Sequence, residues 1–222
     1  MEKSQNNLKI LLVNKPLHWT SNDVVQKIKH KYHIKKIGHA GTLDPLASGL
    51  LILGINQGTK EINNLMLMEK VYLANIVFNY ETDTNDNEGK IVSYQKKDIQ
   101  LDKIIDALNK FKNEIYEQVP PIYSSVKING KRAYELARSS KDNIVINPKI
   151  VKLIDYKIIS FKNNELIIEL KTSKGFYVRS LARDLGRAVG NFANLTKLVR
   201  TQIGEYKIEQ SYKLENLDEI FN

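Results

Sequence analysis

Apolar positions recur along this chain with two periods, and the switches between them mark out its elements. Leu8–Val13 is a short apolar run that ends at Lys15-Pro16 and reads as a strand. Thr20-Ser21-Asn22-Asp23 then supplies capping side chains, and Val24, Val25, Ile28 and Tyr32 follow at helical spacing. Leu50–Ile55 is apolar throughout, which suits a short buried strand. Gln57–Glu61 opens a short helix carrying Ile62, Leu65 and Met66, and Val71–Phe78 alternates as a strand does. Polar, turn-rich Glu81–Gly89 predicts a loop. Leu101, Ile104, Ile105, Leu108 and Phe111 trace one face of a helix.

Further on, Pro120-Pro121 stops any helix. Ile122–Ile128 should be extended before Asn129-Gly130, a dipeptide suited to tight hairpins. Lys131–Arg138 reads as a short helix and Ser139–Asn143 as a polar, mobile stretch. Val151–Phe161 and Leu166–Thr172 form two strands joined at Lys162-Asn163-Asn164. Val178, Leu181, Ala182, Leu185 and Val189 define an amphipathic helix, and Leu195–Ile203 the last strand. The order lacks a β-α-β rhythm, so the fold class is α+β with a mainly antiparallel sheet. With no internal repeat and no linker, residues 1–222 are expected to form a single domain.

Composition narrows the function. The chain has 222 residues, 42% of them hydrophobic, which excludes a disordered protein and allows a substantial core. No apolar run approaches the roughly 18 residues of a membrane span, and Met1–Asn7 lacks a signal core. There are no cysteines, which excludes disulfides, thiolate nucleophiles and Cys-ligated metals. A cytoplasmic protein is expected. The net charge of +9 points to a polyanionic partner, most simply nucleic acid. All the arginines (132, 138, 179, 183, 187 and 200) lie in the later half, and their rigid forks suit fixed phosphate or carboxylate contacts.

Gly38–Leu51 stands out chemically. It holds one carboxylate, Asp44, between Leu43 and Pro45, in a run punctuated by Gly38, Gly41 and Gly49. Proline pushes the preceding residue into an extended conformation, and glycines let a partner approach the backbone. Asp44 is then either a reactive group or a turn aspartate that caps its own backbone. In Asp83–Gly89 the EF-hand pattern fails, with Glu88 at the glycine position and Tyr94 at the bidentate one. That leaves a polar hairpin loop, or one that orients an RNA-contacting side chain. The four histidines (18, 30, 33 and 39) form no zinc pattern, and no Gly-Lys-Ser/Thr follows the glycines, so no metal is expected. In Ser173–Arg179 a strand ends and Tyr177 and Arg179 open a helix. An ionised Asp44 in apolar surroundings needs a cation beside it, and Arg179 is the candidate.

Taken together these segments resemble the bacterial tRNA pseudouridine synthase family of the TruB type. The resembling blocks run in order: Lys15-Pro16 with Thr20-Ser21; Gly38–Leu51; Lys70-Val71-Tyr72 with Thr82, Asp83, Thr84 and Asp86. They continue with Val119–Lys127, Gly130-Lys131, Tyr134-Glu135 and Ala137-Arg138, then Ser173–Arg179 with Asp184-Leu185-Gly186, and Leu198-Val199-Arg200. The resemblance spans residues 9 to 206. The family usually has glycine where His18 and Asn79 stand, so the first loop is expected to bend differently. Members usually carry a C-terminal PUA domain, for which Leu214–Phe221 leaves no room, so none is expected.

The resemblance implies a pseudouridine synthase fold, a central mixed, mainly antiparallel sheet flanked by helices and RNA-binding loops. It implies isomerisation of uridine 55 in the T-loop of tRNA by base flipping, without a cofactor. Asp44 falls at the catalytic position. Tyr72 resembles the ring that stacks on the flipped base, His39 the residue that fills the vacated stack, and Arg179 the cation that holds Asp44. Tyr177 and Leu198 would wall the pocket. Residues 121–146 resemble a thumb loop that orders on the T-stem, and RNA contacts are expected from Asp86, Lys127, Lys131, Arg132, Arg138, Lys141 and Arg200. The partner is the tRNA T-arm, no membrane is involved, and a monomer is expected. A non-catalytic RNA-binding protein is the alternative, since binding needs the basic face but not Asp44, Tyr72 and Arg179 together. A synthase acting on other RNA is a third reading.

Overall fold

A computed structural model describes residues 9–124, 126–128, 131–133 and 145–221. In chain order these form β1 (Ile10–Lys15), α1 (Ser21–Lys31), β2 (Ile37–His39), β3 (Ala47–Ile55) and a 3-10 turn (Asn56–Glu61) that leads into α2 (Ile62–Leu67). Next come β4 (Lys70–Phe78), β5 (Tyr80–Thr82), β6 (Ile91–Tyr94), α3 (Leu101–Asn113), β7 (Tyr116–Gln118), β8 (Lys127–Ile128), β9 (Lys131–Arg132) and β10 (Lys149–Val151). The rest are β11 (Leu153–Lys162), β12 (Glu165–Thr172), α4 (Val178–Ala188), β13 (Ala193–Ile203), β14 (Tyr206–Lys207) and α5 (Asp218–Phe221). They fall into two compact units, Met1–Leu73 with Leu198–Asn222, and Ala74–Lys197. Among the described residues no helix is long and apolar enough to cross a membrane.

In the first unit the strand order is β1-β3-β13-β4, with β2 on β3 and β14 on β13. The sheet is mixed because β3 runs antiparallel to β1 and β2 but parallel to β13. β3 is apolar throughout because both of its faces are covered. Leu51, Leu53 and Ile55 pack with Leu11, Val13, Val24, Val25 and Ile28, whereas Leu50 and Ile52 pack with Ala40, Leu65 and Ile203. α1 starts where the sequence predicts, through a reciprocal cap between Thr20 and Asp23. The C-terminal segment closes the first core. Leu214, Leu217 and Phe221 join it, Phe221 stacks on Tyr32 at 4.1 Å, and Asp218 accepts a 2.7 Å hydrogen bond from the Tyr32 hydroxyl.

In the second unit the order is β13-β4-β12-β11, with α3 packed on β11 and α4. Asn163 and Asn164 both take positive φ (52° and 58°), the geometry of a tight two-residue hairpin, and they join β11 to β12 where the sequence places the turn. β8 and β9 pair as the Asn129-Gly130 signal predicts, with Ile128 opposite Lys131.

Several boundaries differ from expectation. β3 begins at Ala47 rather than Leu50, because Gly49 lies directly opposite Arg200 and keeps the pairing going. Lys131 and Arg132 are strand, not the start of a helix, since they complete the β8 hairpin; the remainder of that expected helix, and Ser139–Asn143, lie outside the described residues. β2, β7 and β10 are three-residue strands, too short to show periodicity. The expectation about His18 also needs correction. Its φ is 64° and that of Asn79 is 88°, the left-handed region that glycine enters freely. The first loop makes the bend glycine favours, with histidine carrying the strain.

Candidate active site

Asp44 sits in the segment between β2 and β3, half-buried, and the segment is pinned along its length. The Ala40 amide donates to Ile52 O (2.8 Å). Leu43 N donates to the Ser21 hydroxyl (2.9 Å), which donates back to Leu43 O (3.3 Å). The turn itself is closed by Ala47 N on Asp44 O (3.0 Å) and by His18 N on Pro45 O (2.8 Å). Asp44 therefore keeps the bent backbone that Pro45 predicts, on a loop that cannot slide.

Two buried cations act on this loop. Arg200, 1% exposed, donates from Nε to Leu50 O (2.8 Å), from Nη1 to Thr42 O (3.4 Å) and from Nη2 to Gly41 O (3.1 Å). Burial pushes its guanidinium down from the ordinary value, opposed by a hydrogen bond with Tyr72 and by the charge of Asp44. Lys15, at the end of β1, donates to Trp19 O (2.6 Å) and Pro16 O (2.9 Å). Burial lowers Lys15 to about 8, with the Asp44 carboxylate pulling the other way.

The lowered Lys15 carries a pH signature. Between about 8 and its ordinary 10.5 the folded chain binds fewer protons at this site than the unfolded chain, so stability rises with pH through that window. The urea midpoint of the wild type should therefore gain on that of Lys15→Met as pH climbs from about 8 to 10.5. A difference that stays flat over this range would mean Lys15 titrates as an ordinary lysine.

The same unit holds three other predicted residues. Tyr72, 8% exposed, lies on the buried face of β4. Leu198 pairs with Ala47, three residues past Asp44, and shares a strand face with Arg200. His39 ends β2 opposite Leu53 and is half-buried. Asp44 and Tyr72 both favour the charged form of the Arg200 guanidinium.

The second unit holds the other group. Gln118 fixes Tyr177 by accepting from its amide (2.7 Å) and donating to its carbonyl (3.1 Å), which sets the start of α4. Arg179, in the first turn of α4, is buried. It meets Asp86 at 3.3 Å and donates to Thr84 O (3.2 Å) and Tyr123 O (3.0 Å). Asp86 also accepts from the Thr84 hydroxyl (2.6 Å) and the Glu88 amide (3.0 Å). Lys127, Lys131 and Arg132 stand on the β8–β9 hairpin. Arg138 and Lys141, with much of the expected thumb loop at 121–146, lie outside the described residues.

Two expected RNA contacts are corrected by burial. Arg200 is sealed beneath the Asp44 loop with its donors on backbone carbonyls, and Asp86, 4% exposed, folds the β5–β6 loop around Arg179. Neither presents its charge to a phosphate. Sequence reasoning missed Lys15 as a neighbour of Asp44, and Gln118 as the clamp on Tyr177. The only trace of the first is a lysine placed at a strand end before proline; Gln118 leaves none.

Comparison with known proteins identifies the family. Residues 29–178 match the TruB family pseudouridylate synthase (N terminal domain). The tRNA pseudouridine synthase B of Ureaplasma urealyticum serovar 10 is 48% identical over 219 residues, covering 97% of this chain and 95% of that protein. That of Malacoplasma penetrans is 46% identical over 213 residues, covering 94% and 90%. Among solved structures, a Cbf5-Nop10-Gar1 complex superposes with a TM-score of 0.75 at 25% identity, over 97% of this chain and 55% of that one. A pseudouridylate synthase crystal structure gives 0.50 at 17% identity, over 96% and 72%, a likeness of fold. The chain spans about half the length of the Cbf5 complex chain that it matches.

Proposed function

Because this chain belongs to the TruB family of pseudouridylate synthases, we propose that it isomerises uridine 55 in the T-loop of tRNA to pseudouridine, with Asp44 as the catalytic carboxylate. The observation that carries the reading is the pinned Asp44 loop, clamped through Gly41, Thr42 and Leu50 by the buried Arg200 and with its charge felt by the buried Lys15. A carboxylate held on a fixed loop can act as a nucleophile or a base.

The reaction breaks the C1′–N1 bond and makes a C1′–C5 bond in the same nucleotide; C5 loses a proton and N1 regains one. Attack by Asp44 on C6 of the base, attack on C1′ of the sugar, and a glycal route through loss of the C2′ proton all meet this balance, and all use Asp44. The base must leave its stack to reach the acid. Tyr72 is the ring for it to stack on, His39 the side chain that takes its place, and Leu198 and Tyr177 the walls of the pocket. Arg179 keeps the role of counter-charge that the resemblance gives it, and the basic thumb residues hold the T-stem by charge.

The test is positional. A full-length unmodified tRNA transcript and an isolated T-arm stem-loop are each incubated with the protein, and pseudouridine is mapped by chemical primer extension. One modified T-loop uridine in both is expected. Modification outside the T-loop would overturn the substrate assignment, and tight binding without product would make the chain an RNA-binding protein.

A further inference from the structure

A buried arginine is an expensive way to fill space, and an apolar side chain of similar volume often serves stability better. Arg200 is 1% exposed, yet three of its bonds run to carbonyls on the two arms of one loop, Gly41 and Thr42 before Asp44 and Leu50 after it. Tyr72, on a different strand, acts on the same guanidinium, and the Thr201 hydroxyl donating to Val71 O (3.3 Å) holds that strand beside the one bearing Arg200. Its planar fork fixes these partners at set angles, which a single ammonium does not. The backbone around it leaves no slack. Gly49, at φ 106°, lies so close to Arg200 that a Cβ there would collide with the Arg200 carbonyl oxygen.

We propose that Arg200 is a positioning residue for the reaction, a buried fork that holds the Asp44 loop and the Tyr72 ring in one fixed relation. The inference rests on the reading that Asp44 and Tyr72 carry the chemistry. It assigns Arg200 no contact with RNA.

Arg200→Lys keeps the charge and loses the fork. The expected result is a single-turnover rate per folded molecule, at saturating tRNA, about 100-fold below wild type, the scale of a misplacement of about 1 Å. The tRNA Kd should stay within about threefold, because no phosphate contact is lost. Tyr72→Phe cuts the same link without touching the loop carbonyls. Combined with Arg200→Lys it should cost less than the product of the two single losses, the mark of one shared interaction. Urea midpoints give the folded fraction, and should Arg200→Lys fail to fold, Tyr72→Phe decides alone by a rate loss at unchanged Kd. The inference is overturned by an Arg200→Lys rate equal to wild type, by multiplicative losses in the double variant, or by a loss confined to tRNA affinity. Asp44→Asn is run beside them: if it retains activity the site reading fails, and if it is dead while Arg200→Lys is normal only the inference does.

Discussion

Asp44→Asn should lower single-turnover pseudouridine formation by about 10⁴-fold or more, the upper range for removing a catalytic base, while tRNA is bound as tightly as by wild type. The substitution changes charge but almost no volume. The loop stays in place because its anchors involve main-chain atoms of Asp44 and its neighbours, namely Ala47 N on Asp44 O, Ser21 on Leu43 and Arg200 on Gly41, Thr42 and Leu50. Asparagine cannot act as a general base or form the ester-like adduct that a carboxylate forms. Lys15 and Arg200 also lose an anion that favours their charged forms, so a modest fall in urea midpoint should accompany the loss of activity. Primer-extension mapping under single-turnover conditions reads the rate, and a variant within tenfold of wild type would remove Asp44 from the chemistry.

The largest loss of stability is expected at Asp86. Asp86→Ala removes the carboxylate that meets the buried Arg179 guanidinium at 3.3 Å, and it strips a side-chain acceptor from the Thr84 hydroxyl and the Glu88 amide. Breaking a buried ion pair from one side costs about 3–5 kcal/mol. Asp86→Asn keeps an acceptor in the same place and should cost less. Urea unfolding of both variants measures the pair, and an Asp86→Ala midpoint equal to wild type would mean that the Asp86 carboxylate adds nothing to the hold on Arg179. The effect should not depend strongly on salt, because both side chains are 6% exposed and poorly screened.

What the sequence disclosed depended on how local each signal was. The Thr20–Asp23 cap and the spacing of Val24, Val25 and Ile28 fix α1 within a single turn of chain, so its start was legible to within the stretch Thr20–Asp23. The bend at Asp44 was legible for the same reason, since Pro45 and the flanking glycines describe its backbone, whereas the residues alone left its role open. Arg200 and Asp86 were misjudged because their partners are distant or turned inward. An arginine on a basic chain looks like a phosphate ligand until three carbonyls converge on it from about 150 residues away, and nothing in the linear order shows that convergence. His18 and Asn79 read as departures from a glycine pattern, and only backbone angles reveal that both residues take the left-handed conformation that glycine favours.

The first unit is assembled from the two ends of the chain, and that sets an order of events during synthesis. Residues up to Leu73 emerge with β3 made but without its parallel neighbour, and the carbonyls of Gly41, Thr42 and Leu50 meet water until residue 200 is translated. At roughly 5–20 residues per second the interval is on the order of ten seconds. The intervening stretch, Ala74–Lys197, is contiguous and has its partners in hand before then. The nascent chain thus acquires its helical and hairpin scaffold first, and the loop bearing Asp44 is locked only afterwards, when β13 brings its arginine beneath it.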